Sequence, residues 1–385
     1  MISSRVHLPL LDGLRGVAIL MVLLCHFVYY RNLSPGSIGS AITTVTGYGW
    51  LGVDLFFVLS GFLITGILYD TKEAACYFKY FYARRALRIF PLYYTYLACV
   101  CLSLATYLWL RGYDPLFVRS LKDGAWASLY LTNIEIVRKG SMVTFAFGHF
   151  WSLAVEEQFY FIWPLVVLHT TGKQLKVLCL LTVGGAILAR WAASAGGLGG
   201  TALVLMPCRA DSLAMGAFIA LAARNPAEFV TLGKFARYVF PVGLCALILC
   251  IHAAGEFIHL NLLLTAASFT FAGALALAIT MPHDTIAGII LGCSWLRAFG
   301  KYSYGLYVLN QPFAFFPGSV RLYGYLAAHF HSELAATLVR AVGGIGLSFT
   351  AAWLSWHILE KRCLKLKKFF ALDRRSPETL VLQPR

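Results

Sequence analysis

Polar residues are scarce along this chain, and its apolar residues gather into runs of about 20, the helix length needed to cross the hydrocarbon core of a bilayer. Ten such runs are read, at 8–30, 50–70, 89–110, 150–169, 175–193, 203–223, 236–255, 262–281, 296–316 and 336–358. The expected fold is all-α and polytopic, with an integral-membrane domain over 1–360 and a basic tail over 361–385. Between the third and fourth runs, Asp114-Pro115 carries the signature of a helix start, an Asp N-cap followed by Pro at the first helical position. A short helix in the 111–148 loop is therefore expected there, not an eleventh span.

Composition agrees with this pattern: 59% of residues are hydrophobic and only 13% charged, where a soluble domain has about 25% charged. The distribution of the 32 basic residues orients the helices. Twenty-one lie on the side shared by both termini, 8 on the other, and Arg15, Arg209 and Arg340 lie inside the runs. The positive-inside rule then predicts cytoplasmic N and C termini. The formal net charge of +15 is mostly juxtamembrane, which accounts for attraction to anionic lipid and gives no footprint for nucleic acid. The first run is too long for the apolar core of a signal peptide and is followed by no small-residue cleavage pattern, so it is read as a retained helix. The ten cysteines fall mostly in apolar runs and form neither a CxxC pair nor a His-Cys metal spacing. Packing explains them, and no metal is expected.

Against this apolar background the ionisable residues stand out. Arg15 and His26 are eleven residues apart in the first run, close to three full turns, so they share one helix face about 16 Å apart along the axis. Asp12 lies on the same stripe. A charge facing lipid costs on the order of 3 kcal/mol or more, so the stripe is expected to face a cavity or a partner helix. A second cluster, Arg84, Arg85 and Arg88 in FYARRALRIFPLYY, satisfies the positive-inside rule as an interfacial anchor. It also forms a compact guanidinium set suited to phosphate.

A third group lies in HFWSLAVEEQFYFIWPL, where His149, Ser152, Glu156 and Tyr160 recur at spacings of three or four and so share a face. Glu156 and Glu157 point about 100° apart, so only one can look squarely into the cavity that Ser152 and Tyr160 face. A structural ion pair with Arg209 is the plainer alternative for that glutamate. Arg209 and Asp211, in MPCRADSLAMGAFIA, read as paired charges at a span start. Asp54, near the outer end of the second run, reads as a cap or an ion-pair member, with Ser60 and Gly61 as small contact residues after it.

One titratable base in the membrane, a basic entry and buried carboxylates fit acyl transfer. A neutral His can take the proton of an acceptor hydroxyl as it attacks a thioester, or can itself carry the acyl group. A nearby carboxylate is the expected holder of its tautomer. The arginines would grip the phosphates of an acyl-coenzyme A, a donor substrate and not a resident cofactor.

LDGLRGVAILMVLLCHF, GVDLFFVLSGFLITG, RRALRIFPLYY, FWSLAVEEQFYFIWP, RADSLAMGAFIA and KYSYGLYVLNQP occur in this order between positions 10 and 312. With them the chain resembles the integral-membrane acyltransferase 3 family of O-acyltransferases. The resemblance implies a ten-helix domain of the bacterial cytoplasmic membrane. It implies transfer of acetyl or another short acyl group from acyl-coenzyme A to a hydroxyl of a saccharide, a lipid-linked glycan or a glycosylated small molecule. It also implies that Arg15 and His26 are the family's paired motif, Arg85 and Arg88 its RxxR motif, and Glu156 the carboxylate of its SLxxE segment. Two departures stand out. Leu309 and Asn310 replace a common Trp-His, which removes a histidine from the acceptor side, and Arg362 stands where Pro often follows Glu360-Lys361. Some relatives append a soluble hydrolase-like domain, and here only about 25 residues follow the last expected helix. With the termini inside, His26 lies toward the outer half of its span, about 27 Å of rise from Leu8, which favours an acceptor arriving from outside. A transporter of a sugar-like or acidic solute would use the same kind of cavity, but the interrupted helices and inverted repeats common in that class are not clear here.

Overall fold

The computed structural model describes residues 8–29, 37–141, 146–251, 256–315 and 317–370. The ends of the tail (371–385) and of the N terminus (1–7) lie outside the described residues, as do parts of the expected 8–30 and 236–255 runs. Among the described residues the fold is helical, with no strand. In chain order the helices are α1 Pro9–Phe27, α2 Ser37–Gly47, α3 Gly52–Asp70, α4 Tyr77–Arg111, α5 Pro115–Ser128, α6 Thr132–Lys139, α7 Trp151–His169 and α8 Gly172–Ala195. They continue as α9 Met206–Ala222, α10 Pro226–Ile251, α11 Glu256–Thr280, α12 Ile286–Gly292, α13 Ser294–Lys301, α14 Ser303–Phe315, α15 Pro317–Phe330, α16 Glu333–Ser355 and α17 Lys361–Lys365.

Seven stretches among the described residues are long and apolar enough to cross a membrane: α1, 41–70, α4, α8, α10, 261–280 and 333–370. α7 has 19 residues but carries Glu156 and Glu157, and α9 has only 17 residues with Arg209 and Asp211 near its start. The paired glutamates lower the hydropathy of α7, and α9 falls short by length. The expected span 296–316 is not one helix: α13 ends at Lys301, and Tyr302 separates it from α14. In the 111–148 loop Asp114 caps α5 as expected, accepting from the backbone N–H of Leu116 at 2.9 Å. A second helix, α6, follows it.

Lipid supplies no hydrophobic drive for one helix to join another, so close packing and polar contacts hold the bundle together. α3 and α9 interlock through two glycines: a Cβ on Gly61 would collide with the Leu213 carbonyl, and one on Gly216 with that of Val58. This fixes the register of Ser60, which precedes Gly61. α1 is likewise pressed against α13, where Gly300 meets the Asp12 carbonyl.

Polar contacts do the rest. Arg190 is fully buried, donates to the Cys208 carbonyl at 2.7 Å and to Thr265 at 2.8 Å, and forms an ion pair with Asp211 at 2.8 Å. Arg209 pairs with Asp54 at 3.2 Å, Ser212 also donates to Asp54 at 3.3 Å, and the Arg209 guanidinium stacks on Trp151 at 5.2 Å. The alternative of a Glu156–Arg209 pair is thereby replaced by Asp54–Arg209. Removing one partner of such a buried pair costs about 3–5 kcal/mol.

Outside the spans, Glu135 of α6 accepts from Arg138 at 2.7 and 2.8 Å and from Lys139 at 2.9 Å, while Lys139 also pairs with Asp123 of α5. The Arg138 hydrogen bonds, more than any other contact, hold the Glu135 carboxyl below its ordinary range. The α5–α6 turn is completed by Tyr130, which adopts φ of 56° and stacks on Tyr93 of α4 at 4.4 Å.

Candidate active site

Two cavities meet in the middle of the bundle. The wider, about 510 Å³, is lined by Arg15, Asp70, Tyr80, Arg84, Arg85, Arg88 and Lys367. The inner one, about 120 Å³, is lined by Arg15, Ser60, Arg85, Arg88, Ser152, Glu156, Tyr160, Ser303, Tyr304 and Tyr307, among others. Arg15, Leu63, Arg85 and Arg88 belong to both, so a basic vestibule leads into a narrow chamber with polar side chains set in a largely apolar lining. Ligand pockets commonly measure about 300–1,000 Å³, so the vestibule can take the body of a ligand and the chamber only its tip.

Three of the vestibule's five cations, Arg84, Arg85 and Arg88, come from α4. Arg85 lies over the Tyr160 ring at 5.5 Å and Arg84 over Tyr80 at 4.9 Å, which limits the freedom of both guanidiniums. Asp12 bonds Arg15 at 2.8 Å and orients it from α1. Arg84 lines the vestibule alone, whereas Arg85 and Arg88 reach both cavities.

Inside the chamber, Ser60 of α3 donates to Glu156 Oε1 of α7 at 2.6 Å, and Tyr160 Oη donates to Ser60 at 3.1 Å. Glu156 is thus the glutamate that faces the cavity with Ser152 and Tyr160. Glu157 points away, and its buried Oε1 has no hydrogen-bonding partner. At the chamber's wall Ser152 and the Tyr307 hydroxyl share a 2.5 Å bond, and Tyr307 donates onward to the His149 carbonyl at 2.6 Å.

His26 lies behind this wall. Its Nδ1 is 2.6 Å from Asn310 Oδ1, and the two amide hydrogens of Asn310 are given to the carbonyls of Leu306 at 2.9 Å and Tyr307 at 2.8 Å. The amide is therefore fixed with its oxygen toward His26, so Nδ1 is the protonated nitrogen and the lone pair is on Nε2. The expected carboxylate at this imidazole is replaced by a carboxamide. Phe315 closes edge-on against the ring at 5.5 Å. Arg340 of α16 donates to the Phe27 carbonyl at 2.5 Å and the Ala314 carbonyl at 3.2 Å, tying the end of α1 beside His26 to α14.

Of the residues singled out in the sequence, Arg15, Ser60, Arg85, Arg88, Ser152, Glu156 and Tyr160 come together around the inner chamber. His26 and Asn310 form their own pair beyond Tyr307, while Asp54, Arg209 and Asp211 belong to the ion-pair network and line neither cavity. Tyr304, Tyr307 and Lys367 are additions that sequence reasoning passed over, and Arg340, noted there only as a basic residue inside a run, ties α1 to α14. The two tyrosines lie in the quoted KYSYGLYVLNQP motif at i and i+3, a spacing that was available as a signal. Lys367 was concealed among the tail's other cations.

A family model described as an acyltransferase domain matches residues 8–357. The chain belongs to the acyltransferase 3 family. Similar proteins include a putative peptidoglycan O-acetyltransferase of Bacillus subtilis (YrhL), 26% identical over 332 residues, covering 80% of this chain and 48% of that protein. The peptidoglycan O-acetyltransferase OatA of Listeria monocytogenes is 33% identical over 200 residues, 49% of this chain and 29% of that one. An O-acetyltransferase OatA of Staphylococcus aureus is 34% identical over 176 residues, 43% of this chain and 26% of that one. The chain thus spans half or less of the length of these relatives. No solved structure matches it.

Proposed function

We propose that this acyltransferase 3 protein is a membrane O-acyltransferase that moves an acetyl or other short acyl group from acyl-coenzyme A to a hydroxyl of a carbohydrate acceptor. The observation that carries this reading is the funnel itself: a phosphate-sized cluster of arginines at the mouth, a chamber sized for the tip of a ligand, and a tautomer-fixed imidazole behind its far wall. The names of the relatives favour a glycan such as peptidoglycan, or its lipid-linked precursor, as acceptor.

In this mechanism Arg84, Arg85, Arg88 and Lys367 hold the donor's phosphates, and binding energy spent there keeps the thioester in place. Arg15, oriented by Asp12, adds positive charge where vestibule and chamber meet. His26 Nε2 takes the proton of the acceptor hydroxyl as its oxygen attacks the carbonyl carbon, and Asn310 holds the imidazole in the competent tautomer. Glu156, held by Ser60, orients the chamber's hydroxyls. The basic tail and the vestibule share Lys367, which supports a cytosolic mouth in the bacterial inner membrane with both termini inside.

The test is to supply membranes containing the protein with labelled acetyl-coenzyme A and follow the label. Transfer into an alkali-labile ester on envelope glycan supports the proposal. Solute accumulation with no use of acetyl-coenzyme A would replace it with transport.

A further inference from the structure

The ion pair of Asp54 and Arg209 lines no cavity, yet it acts on one. The Arg209 guanidinium lies over the Phe57 ring at 5.9 Å as well as over Trp151 at 5.2 Å, and the Phe57 and Trp151 rings meet edge-on at 6.2 Å. Phe57 itself lines the inner chamber. A buried charge pair therefore braces one ring of the chamber wall from behind.

The order of lining residues along the helices places that ring at the chamber's far end. α3 gives Ile67, Asp70 and Thr71 to the vestibule alone, Leu63 to both cavities, and Val53 and Phe57 to the chamber alone. Val53 lies ten residues before Leu63, about 15 Å along the helix axis. α7 runs the same way: Tyr160 lies under Arg85 at the mouth, and Ser152 is about two turns deeper. Val53, Phe57, Ser152 and Tyr307 are all 7% exposed or less, so their side chains close this end off from the surface. The Tyr307 carbonyl accepts from Asn310, the partner of His26, so the same end adjoins the imidazole.

Resting on the O-acyl transfer reading, we propose that Phe57 and Val53 are the stop that sets acyl length, so that the chamber selects acetyl and propionyl thioesters over longer chains. The chamber measures about 120 Å³. An apolar cavity of about 150 Å³ takes benzene, with its six heavy atoms, so the chamber has room for about five. Counted from sulfur to the terminal methyl with the carbonyl oxygen, an acetyl thioester has four heavy atoms and a propionyl thioester five. Each further carbon has to displace the wall. Phe57 is held against this by Arg209 and Trp151, and α3 is locked to α9 one turn on, where Gly61 meets the Leu213 carbonyl. A packed wall that is held from behind resists added volume instead of yielding to it.

The experiment measures kcat/KM for acetyl-, propionyl-, butyryl- and hexanoyl-coenzyme A in membranes, with envelope glycan as acceptor and the alkali-labile ester as readout. Wild type should use acetyl and propionyl within about tenfold of each other and lose about tenfold or more for each methylene beyond them. Phe57→Ala should raise the hexanoyl-to-acetyl ratio by about tenfold or more, and Val53→Ile, which adds one methyl, should lower the propionyl-to-acetyl ratio. A general loosening of the fold would lower all four values together and leave their ratios unmoved. Unchanged ratios in folded Phe57→Ala, or a wild type that uses hexanoyl as readily as acetyl, overturn the proposal. If Phe57→Ala does not fold, Val53→Ala and Val53→Ile are compared instead, and equal ratios overturn it. A wild-type protein that transfers none of the four acyl groups defeats the underlying reading before any variant is measured.

Discussion

His26 and Asn310 are 284 residues apart in the chain and share a 2.6 Å hydrogen bond that ties α1 to α14. Because the Asn310 amide hydrogens are spent on the Leu306 and Tyr307 carbonyls, its oxygen alone can face the imidazole. Asn310→Leu should lower kcat for acyl transfer by about tenfold or more, the scale on which a correctly protonated base contributes. Donor affinity should stay unchanged. Steady-state kinetics with varied acetyl-coenzyme A would separate the two, and an unchanged kcat would show that the tautomer is held by something else.

Arg340 is buried and satisfies the carbonyls of Phe27 and Ala314 at once. Arg340→Met leaves both without this donor, each at a cost of about 1–3 kcal/mol, and frees the end of α1 that carries His26. The variant should melt at a lower temperature and lose turnover together, with Arg340→Lys intermediate. Thermal unfolding in detergent beside an activity measurement checks this. Turnover lost at unchanged stability would argue for a direct role of Arg340 instead.

If Arg85 and Arg88 grip phosphate, their contribution is made of charge-assisted hydrogen bonds worth about 1.5–3 kcal/mol each. Replacing either with Ala should weaken acetyl-coenzyme A binding roughly tenfold to a hundredfold. Lys should recover little at a site that needs the planar fork. Isothermal titration of the wild type should also show affinity falling as salt is raised. Equal affinity in the Ala variants would move the phosphates away from this cluster.

The α5–α6 clamp gives a pH prediction outside the membrane. Glu135 is held below its ordinary range, chiefly by the Arg138 hydrogen bonds. A depressed carboxyl contributes stability that is fully present above its unfolded value near 4.3 and is lost as pH falls through the lower folded value. Amide-exchange protection over residues 114–140, taken relative to the intrinsic rate at each pH, should be high at neutral pH and fall only below about pH 4. Glu135→Gln should show the lower protection already at neutral pH. A loop whose exchange ignores both pH and substitution would mean the clamp contributes nothing.

Much of this was legible from spacing alone. Arg15 and His26 on one stripe of α1, and Ser152, Glu156 and Tyr160 on one face of α7, follow from the helical period; the structure keeps the α7 set together at the chamber, whereas Arg15 lines it and His26 stands apart with Asn310. The partner of each charge was not legible, because pairing is decided by which helices meet. Asp54 with Arg209 and Arg190 with Asp211 depend on helix contacts made far apart in sequence. Hydropathy misled at Tyr302, where an apolar run read as one span conceals a break between two helices. Asn310 looked like the loss of a histidine until its amide was seen against His26.

The most direct test of the account follows coenzyme A thiol release, with acetyl-coenzyme A and a saturating glycan acceptor, in wild type, His26→Ala and Arg85→Ala/Arg88→Ala. The account predicts that His26→Ala binds donor normally and loses kcat. The arginine variant should instead raise the donor KM and recover turnover at high acetyl-coenzyme A. Wild-type kcat in folded His26→Ala would contradict it.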